Sequence, residues 1–141
     1  MRVSLDTNVI LNVLLNRAPW VKAASAIWQA VDDDSLTAYI VSCTLTNIDY
    51  IARRLTNSER AHTAVKLCLD TFEICTVEQR TLIAATALAG HDFEDNVQIA
   101  CAMLYGLDAT IITRDTSGFQ AAAMPVLTPD EFLKAHMLNN G

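Results

Sequence analysis

Three acidic sites in the sequence stand where short apolar runs end or where helices begin. Asp6 ends the apolar run at the start of the sequence and precedes Thr7-Asn8-Val9, where a helix is expected to begin. Asp115 follows the β-rich run 109–113, and the acidic segment 92–95 opens a long helical segment. In an open parallel sheet, ligand-binding groups collect at the carboxyl ends of the strands. The three sites therefore predict one negatively charged pocket, which a hard divalent cation fills most naturally.

Each of these acids also has a simpler structural interpretation. Asp6 and Asp92 belong to a residue type that is favoured for capping a helix N-terminus, and Asp115 can be a turn residue. Asp92 and Asp95 are three residues apart and share one face of the first helical turn, whereas Glu94 is expected to project from a different side. The recurrence of acids at the ends of successive βα units favours a shared site over unrelated caps.

The elements that position these acids alternate between short β-rich runs and helical segments. This alternation predicts βαβ units and an α/β fold with a central parallel sheet of four or five strands flanked by helices. Strands are predicted to end at Leu5, to cover residues 37–41, 72–75 and 109–113, and to include a short edge strand at 124–127. Helices are predicted to include residues 9–14, to cover about 20–31, to run from a cap at Ser42 or Thr44 to residue 54, from 57–58 to about 69, and over 77–88 with Gly90 as a C-cap. Two more are predicted, one capped by Asp92 that runs to residue 105 and one that starts at 128.

Length and composition fit one compact domain covering residues 1–141, with 52% hydrophobic residues, 4 Gly and 3 Pro. No apolar stretch is long enough for a membrane span, and the sequence does not open with a secretory signal. A cytoplasmic protein is therefore expected. The four cysteines lack the spacing of metal ligands, so we interpret them as buried thiols that act as small apolar residues.

The formal net charge of −6 argues against simple electrostatic binding of nucleic acid. A bound divalent cation would reverse the sign of the charge at the site itself, so the net charge does not exclude a metal-dependent nuclease. The clearest basic cluster consists of Arg53, Arg54 and Arg60. Arginines on a helix are most often plain solvated surface.

Taken in order, these motifs resemble the PIN domain family, and within it the VapC-type toxin ribonucleases. The first segment, Leu5-Asp6-Thr7-Asn8-Val9, is similar to the first motif of the family, and the helix-borne Asp of its third motif matches Asp95. The resemblance covers almost the whole chain. Its segments are, in chain order, residues 5–11, 44–48, 92–100, 112–115 followed by Phe119, and 127–133.

The resemblance implies a single-domain, three-layer α/β/α sandwich in which Asp6, Asp95 and Asp115 are catalytic residues and metal ligands, with Asp92 as a further metal ligand. It implies hydrolysis of RNA phosphodiester bonds that depends on Mg²⁺ or Mn²⁺. It also implies a small antitoxin protein as partner and a homodimer as the assembly.

One residue departs from the family pattern, because Asn47 stands where the family usually has Glu. An asparagine can still offer an oxygen ligand, but it is neutral and cannot act as a base. Asp49 does not share its helical face, whereas Asp92, one turn before Asp95, can restore the missing charge. The departure favours an alternative function, a non-catalytic PIN-like module that binds nucleic acid or protein through a degenerate metal site.

Further polar residues near the acids are candidates for binding substrate or orienting water. Asn8, Thr113 and Ser117 can do so, but the same hydrogen-bonding preferences suit these residue types to caps and turns. Asn47 is a candidate of the same kind. Arg114, next to Asp115, either contacts the scissile phosphate or balances the charge of the acids.

Overall fold

The computed structural model describes residues 1–104 and 110–137. Its strands are β1 (Arg2–Leu5), β2 (Thr37–Val41), β3 (Glu73–Cys75), β4 (Thr110–Ile112) and β5 (Val126–Leu127). They form one five-stranded sheet in the order β3-β2-β1-β4-β5, and every neighbouring pair is parallel. The predicted parallel sheet and its short edge strand are thus confirmed, and β1 lies at the centre of the sheet.

Helices connect these strands, as the alternating pattern predicts. Within the described residues they are α1 (Thr7–Leu14), α2 (Val21–Asp32), α3 (Ser42–Leu55), α4 (Ser58–Thr71), α5 (Gln79–Thr86), α6 (Phe93–Leu104) and α7 (Pro129–Phe132). A 3-10 helix at Thr116–Phe119 follows β4, and a π-helical turn at Leu133–Met137 follows α7. No helix of this described part is both long enough and apolar enough to cross a bilayer.

Helices cover both faces of the sheet. Successive strand residues point to opposite sides, and in β2 apolar side chains are buried on both sides. Ala38 and Ile40 of β2 pack in one apolar core with residues of α1, α2, α3 and α4. Tyr39 and Val41 pack on the other face, in a second core with residues of α5 and α6. This arrangement is the predicted three-layer α/β/α sandwich. Three of the four cysteines, Cys68, Cys75 and Cys101, are buried as expected, and Cys43 is partly buried.

The predicted bounds of the fifth helix were wrong at both ends. The helix begins at Gln79 because the amide of Glu78 donates to Thr81 Oγ1 at 3.2 Å and completes a capping box. It ends at Thr86, so Gly90 does not cap it. Gly90 instead allows a close approach by Asn96, whose Nδ2 donates to the Gly90 carbonyl at 2.9 Å. The predicted end of the next helix, residue 105, and the predicted start of the fourth strand, residue 109, lie outside the described residues.

Candidate functional site

An open pocket of about 480 Å³ lies where β1 and β4 end and α6 begins. Asp6 directly follows β1, Asp95 lies in the first turn of α6, and Asp115 follows β4. The structure therefore brings the three predicted acids into one pocket. The described residues that line it are Asp6, Thr7, Asn8, Asn47, Ile51, Asp92, Glu94, Asp95, Asp115, Ser117 and Gly118.

Asp6 is almost fully buried and is held in place by three donors. The Thr7 amide and Gln98 Nε2 both donate to Asp6 Oδ1 at 2.8 Å, and Thr113 Oγ1 donates to Oδ2 at 2.8 Å. Its own amide donates to the Ile112 carbonyl at 3.0 Å, which ties it to β4. Asp6 thus caps α1 and faces the pocket at the same time, so its structural and functional interpretations are compatible.

Gln98 is part of this site although no sequence motif singled it out. It lies on α6 one turn after Asp95 and is only 1% exposed. The available signal was a polar residue within a helical segment that is otherwise mostly apolar, at a spacing that places it on the face of Asp95. Through its bond to Asp6, Gln98 fixes the position of α6 relative to β1.

Thr113 is a buried residue that hydrogen-bonds two of the acids, Asp6 and Asp115. Its side chain is buried, its hydroxyl donates to Asp6, and the Asp115 amide donates to the same oxygen at 3.3 Å. Thr113 was a candidate either for binding substrate or for a local cap or turn. The structure shows the local role, because its hydroxyl bonds with Asp6 and Asp115. Thr113 thereby links the acid after β1 to the acid after β4.

Asp115 is positioned by the turn that follows it. Ser117 donates to Asp115 Oδ1 from its amide at 3.0 Å and from its hydroxyl at 2.6 Å. These bonds, the hydroxyl first, hold the pKa of Asp115 below its usual value. The absence of a side chain at Gly118 lets the carboxylate of Asp95 approach closely, and a Cβ there would displace that carboxylate.

Glu94 faces the pocket, so the expectation that it projects elsewhere was wrong. Its Oε1 accepts a hydrogen bond of 2.7 Å from Nδ2 of Asn47 on α3, which draws the long side chain across the pocket. Burial and the charges of Asp6 and Asp92 raise the pKa of Glu94, and the bond from Asn47 opposes this. The carboxylate missing at residue 47 is thus present in the pocket, carried by the opposite helix.

Asp92 also lines the pocket and has the capping role that its residue type favours. Its Oδ1 accepts a hydrogen bond of 3.1 Å from the amide of Asp95 at the start of α6. Asp92 and Asp95 therefore stand together at the N-terminus of this helix, as their spacing predicts. The helix dipole favours negative charge at this end.

The pocket is strongly negative, because five of the described side chains that line it are carboxylates and none is lysine or arginine. The pKa of Asp95 is raised to about 7, first by burial and then by repulsion from the other four, which are Asp6, Asp92, Glu94 and Asp115. Carboxylates that share one pocket repel each other, which favours the protonated form of at least one of them.

Arg114 does not line this pocket. Its guanidinium carbon lies 4.3 Å from the ring centroid of Trp20, and its Nη1 donates to Asn12 Oδ1 at 3.4 Å. Both partners border a separate cavity of about 160 Å³. Arg114 is still close enough for its charge to contribute, as the smallest cause, to the lowered pKa of Asp115.

All the charged donors of the pocket are oxygen atoms, a set that suits Mg²⁺ or Mn²⁺ better than a softer metal. Within residues 1–104 and 110–137, no three Asp, Glu, His or Cys side chains are already arranged around a single point as ion ligands. The described site is therefore an open acidic pocket.

Comparison with known proteins agrees with this fold. A model of the PIN domain family matches residues 2–117. The fold is similar to DNA-bound VapBC from Salmonella typhimurium, with 16% identity, coverage of 90% of this chain and 96% of that chain, and a TM-score of 0.68. It is similar to a toxin-antitoxin complex from Klebsiella pneumoniae, with 23% identity, coverage of 90% and 97%, and a TM-score of 0.64.

The structure of FitAcB from Neisseria gonorrhoeae gives 22% identity, coverage of 92% of this chain and 98% of that chain, and a TM-score of 0.64. No curated protein matches the sequence significantly. At these identities, the solved structures establish the fold alone. The family model spans most of the sequence, and the chain belongs to the PIN domain family.

Proposed function

We propose that this protein is a divalent-metal-dependent endoribonuclease, which hydrolyses RNA phosphodiester bonds as the toxin of a toxin-antitoxin pair. The observation that carries the proposal is the pocket of five carboxylates at the carboxyl end of a PIN-family sheet. An antitoxin partner is supported by the similar Klebsiella structure, which is a toxin-antitoxin complex. A homodimer remains a prediction.

Carboxylate oxygens are the ligands that a hard divalent cation such as Mg²⁺ or Mn²⁺ prefers. Asp6, Asp95 and Asp115 would hold the ion, and Asp92 and Glu94 would add negative charge around it. Such an ion, when bound, activates water for attack and neutralises the charge that develops on the phosphate. None of the described residues that line the pocket is lysine or arginine, so these side chains supply no positive charge to offset the carboxylates.

Hydrogen bonds within the protein hold the pocket side chains in fixed positions. Asp6 has one orientation, because its three hydrogen bonds restrain both of its oxygens. Asn8 lines the pocket and would hydrogen-bond water or a phosphate oxygen, whereas Ser117, whose hydroxyl already donates to Asp115, could only accept a hydrogen bond from water. Preorganised ligands of this kind avoid reorganisation during the reaction.

A second candidate function is the non-catalytic binding module. It is favoured by Asn47, whose amide is engaged by Glu94 and contributes no charge. The two functions differ in their response to Mn²⁺. A nuclease site should gain thermal stability when the ion is added, by mass action, whereas an inert module should not respond.

The decisive experiment is cleavage of a broad RNA panel in Mg²⁺ or Mn²⁺. We expect cleavage by the unmodified protein and none by Asp6→Asn or Asp95→Asn, because each change removes an ion ligand and leaves a side chain of nearly the same shape. The matched control is Asp70→Asn, an exposed residue of α4 outside the pocket, which should cleave normally. No cleavage by the unmodified protein, together with no stabilisation by Mn²⁺, would favour the binding module instead.

A further inference from the structure

We propose that the face of α3 next to the acidic pocket binds single-stranded RNA through Tyr50 and Arg54. This inference rests on the proposed ribonuclease function, because it assigns the surface along which the substrate strand enters the pocket. We call these two residues the α3 platform.

The α3 platform continues directly from the pocket lining. Asn47 and Ile51 of α3 line the pocket. Tyr50 follows Asn47 by three residues and Arg54 follows it by seven, spacings that place all of them on one side of the helix. At the helical rise, Arg54 lies about 10 Å along the axis from Asn47. The platform is thus within reach of a strand whose phosphate lies in the pocket.

The two side chains form an aromatic and cationic pair on the surface. Tyr50 is 59% exposed, so much of its ring is open to solvent. The guanidinium carbon of Arg54 lies 5.7 Å from the ring centroid, and its Nη1 donates to the Tyr50 hydroxyl at 3.0 Å. The guanidinium lies over the ring, and the exposed part of the ring can stack on a base while the cation attracts a phosphate, which is the usual chemistry of single-strand binding.

Arg54 is available to a phosphate, whereas its neighbour already has a carboxylate partner. Arg53 pairs with Asp49 on the same helix, so the charges of that pair cancel. In the part of the chain that the structure describes, Arg54 has no such ion pair. The two adjacent arginines therefore differ in what they can offer to a phosphate, although the sequence does not distinguish them.

Arg54 offers a strand the cation that the described lining of the acidic pocket lacks, which favours RNA as the occupant of the α3 platform. The pocket and the net charge of −6 repel a phosphate backbone, so a strand needs a cation close to the pocket in order to bind. Single strands fit better than duplexes, because only an unstacked base can stack on Tyr50.

The test measures RNA affinity separately from cleavage. Every variant is made in the Asp95→Asn background, so that a labelled single-stranded RNA of about twelve nucleotides stays intact, and binding is followed by fluorescence anisotropy in Mg²⁺. We expect Tyr50→Ala to weaken binding at least about fivefold, and Tyr50→Phe to keep it, since stacking needs only the ring. Arg54→Gln should lower the salt dependence of log K by about 0.7, which is one phosphate contact on a single strand.

The matched control is the double variant Asp49→Asn/Arg53→Gln, which removes the neighbouring pair without changing net charge and should bind RNA normally. Undetectable RNA binding, unchanged affinity in Tyr50→Ala, or an equal loss in the control would overturn the inference. If RNA binding depends on Tyr50 but the unmodified protein cleaves no RNA, the α3 platform is supported and the ribonuclease function is refuted. If the protein cleaves RNA and Tyr50→Ala leaves the KM unchanged, the ribonuclease function is supported and the α3 platform is refuted.

Discussion

Mn²⁺ should bind the acidic pocket about tenfold more weakly at pH 6 than at pH 8. The pKa of Asp95 is raised to about 7 by burial and by the surrounding carboxylates, and the ion requires the ionised form. A carboxyl with this pKa is about 9% ionised at pH 6 and about 91% ionised at pH 8, which gives the tenfold ratio. The raised pKa of Glu94 acts in the same direction.

Isothermal titration calorimetry at pH 6, 7 and 8, in two buffers of different ionisation enthalpy, measures both the affinity and the protons released. At pH 7, we expect about half a proton to be released from Asp95 for each Mn²⁺ bound. The Asp95→Asn variant should bind Mn²⁺ more weakly at every pH and lose the difference in affinity that Asp95 causes between pH 6 and pH 8. Equal affinity for Mn²⁺ at pH 6 and pH 8 in the unmodified protein would refute the reasoning, because it would show that Asp95 is not coupled to the ion.

Three further outcomes are expected. Without divalent ions, Asp95 keeps a proton in the folded state between about pH 4 and pH 7, whereas the unfolded state has lost it. The free energy of unfolding, measured in urea, should therefore fall as pH rises through this range, and it should fall less steeply in Asp95→Asn. Gln98→Leu removes a donor to Asp6 and should weaken Mn²⁺ binding by about tenfold or more in calorimetry, with a loss of roughly 1–3 kcal/mol in stability. Asn47→Glu replaces the hydrogen bond to Glu94 with a repulsive pair of carboxylates. The melting temperature of this variant should therefore fall without metal and recover in part with Mn²⁺. A higher melting temperature without metal would contradict the observed contact.

The sequence could predict the sheet and the three principal acids because both depend on local patterns. Apolar runs and the residues that end them identify β1 and β4, and acids at those ends meet at one edge of a parallel sheet. The contacts that complete the site are different in kind. Gln98 bonds Asp6 across 92 residues of sequence, and Asn47 bonds Glu94 across 47. Such pairs depend on how α6 and α3 pack against the sheet, which no local pattern encodes.

Adjacency along the chain was also a poor guide to Arg114. It precedes Asp115 in the sequence, yet its side chain lies on Trp20 and its neighbour faces the pocket. Two neighbours in a motif can thus face different cavities, so sharing a motif does not place two side chains in one site.

The carboxylates at the carboxyl end of the sheet are expected to bind a catalytic divalent cation. Anomalous diffraction from a crystal soaked in Mn²⁺ would locate that ion directly. We expect a peak in the pocket within bonding distance of carboxylate oxygens from Asp6, Asp95 and Asp115, and its loss in Asp95→Asn. An absence of any peak in this pocket, in crystals that bind Mn²⁺ elsewhere, would contradict the account.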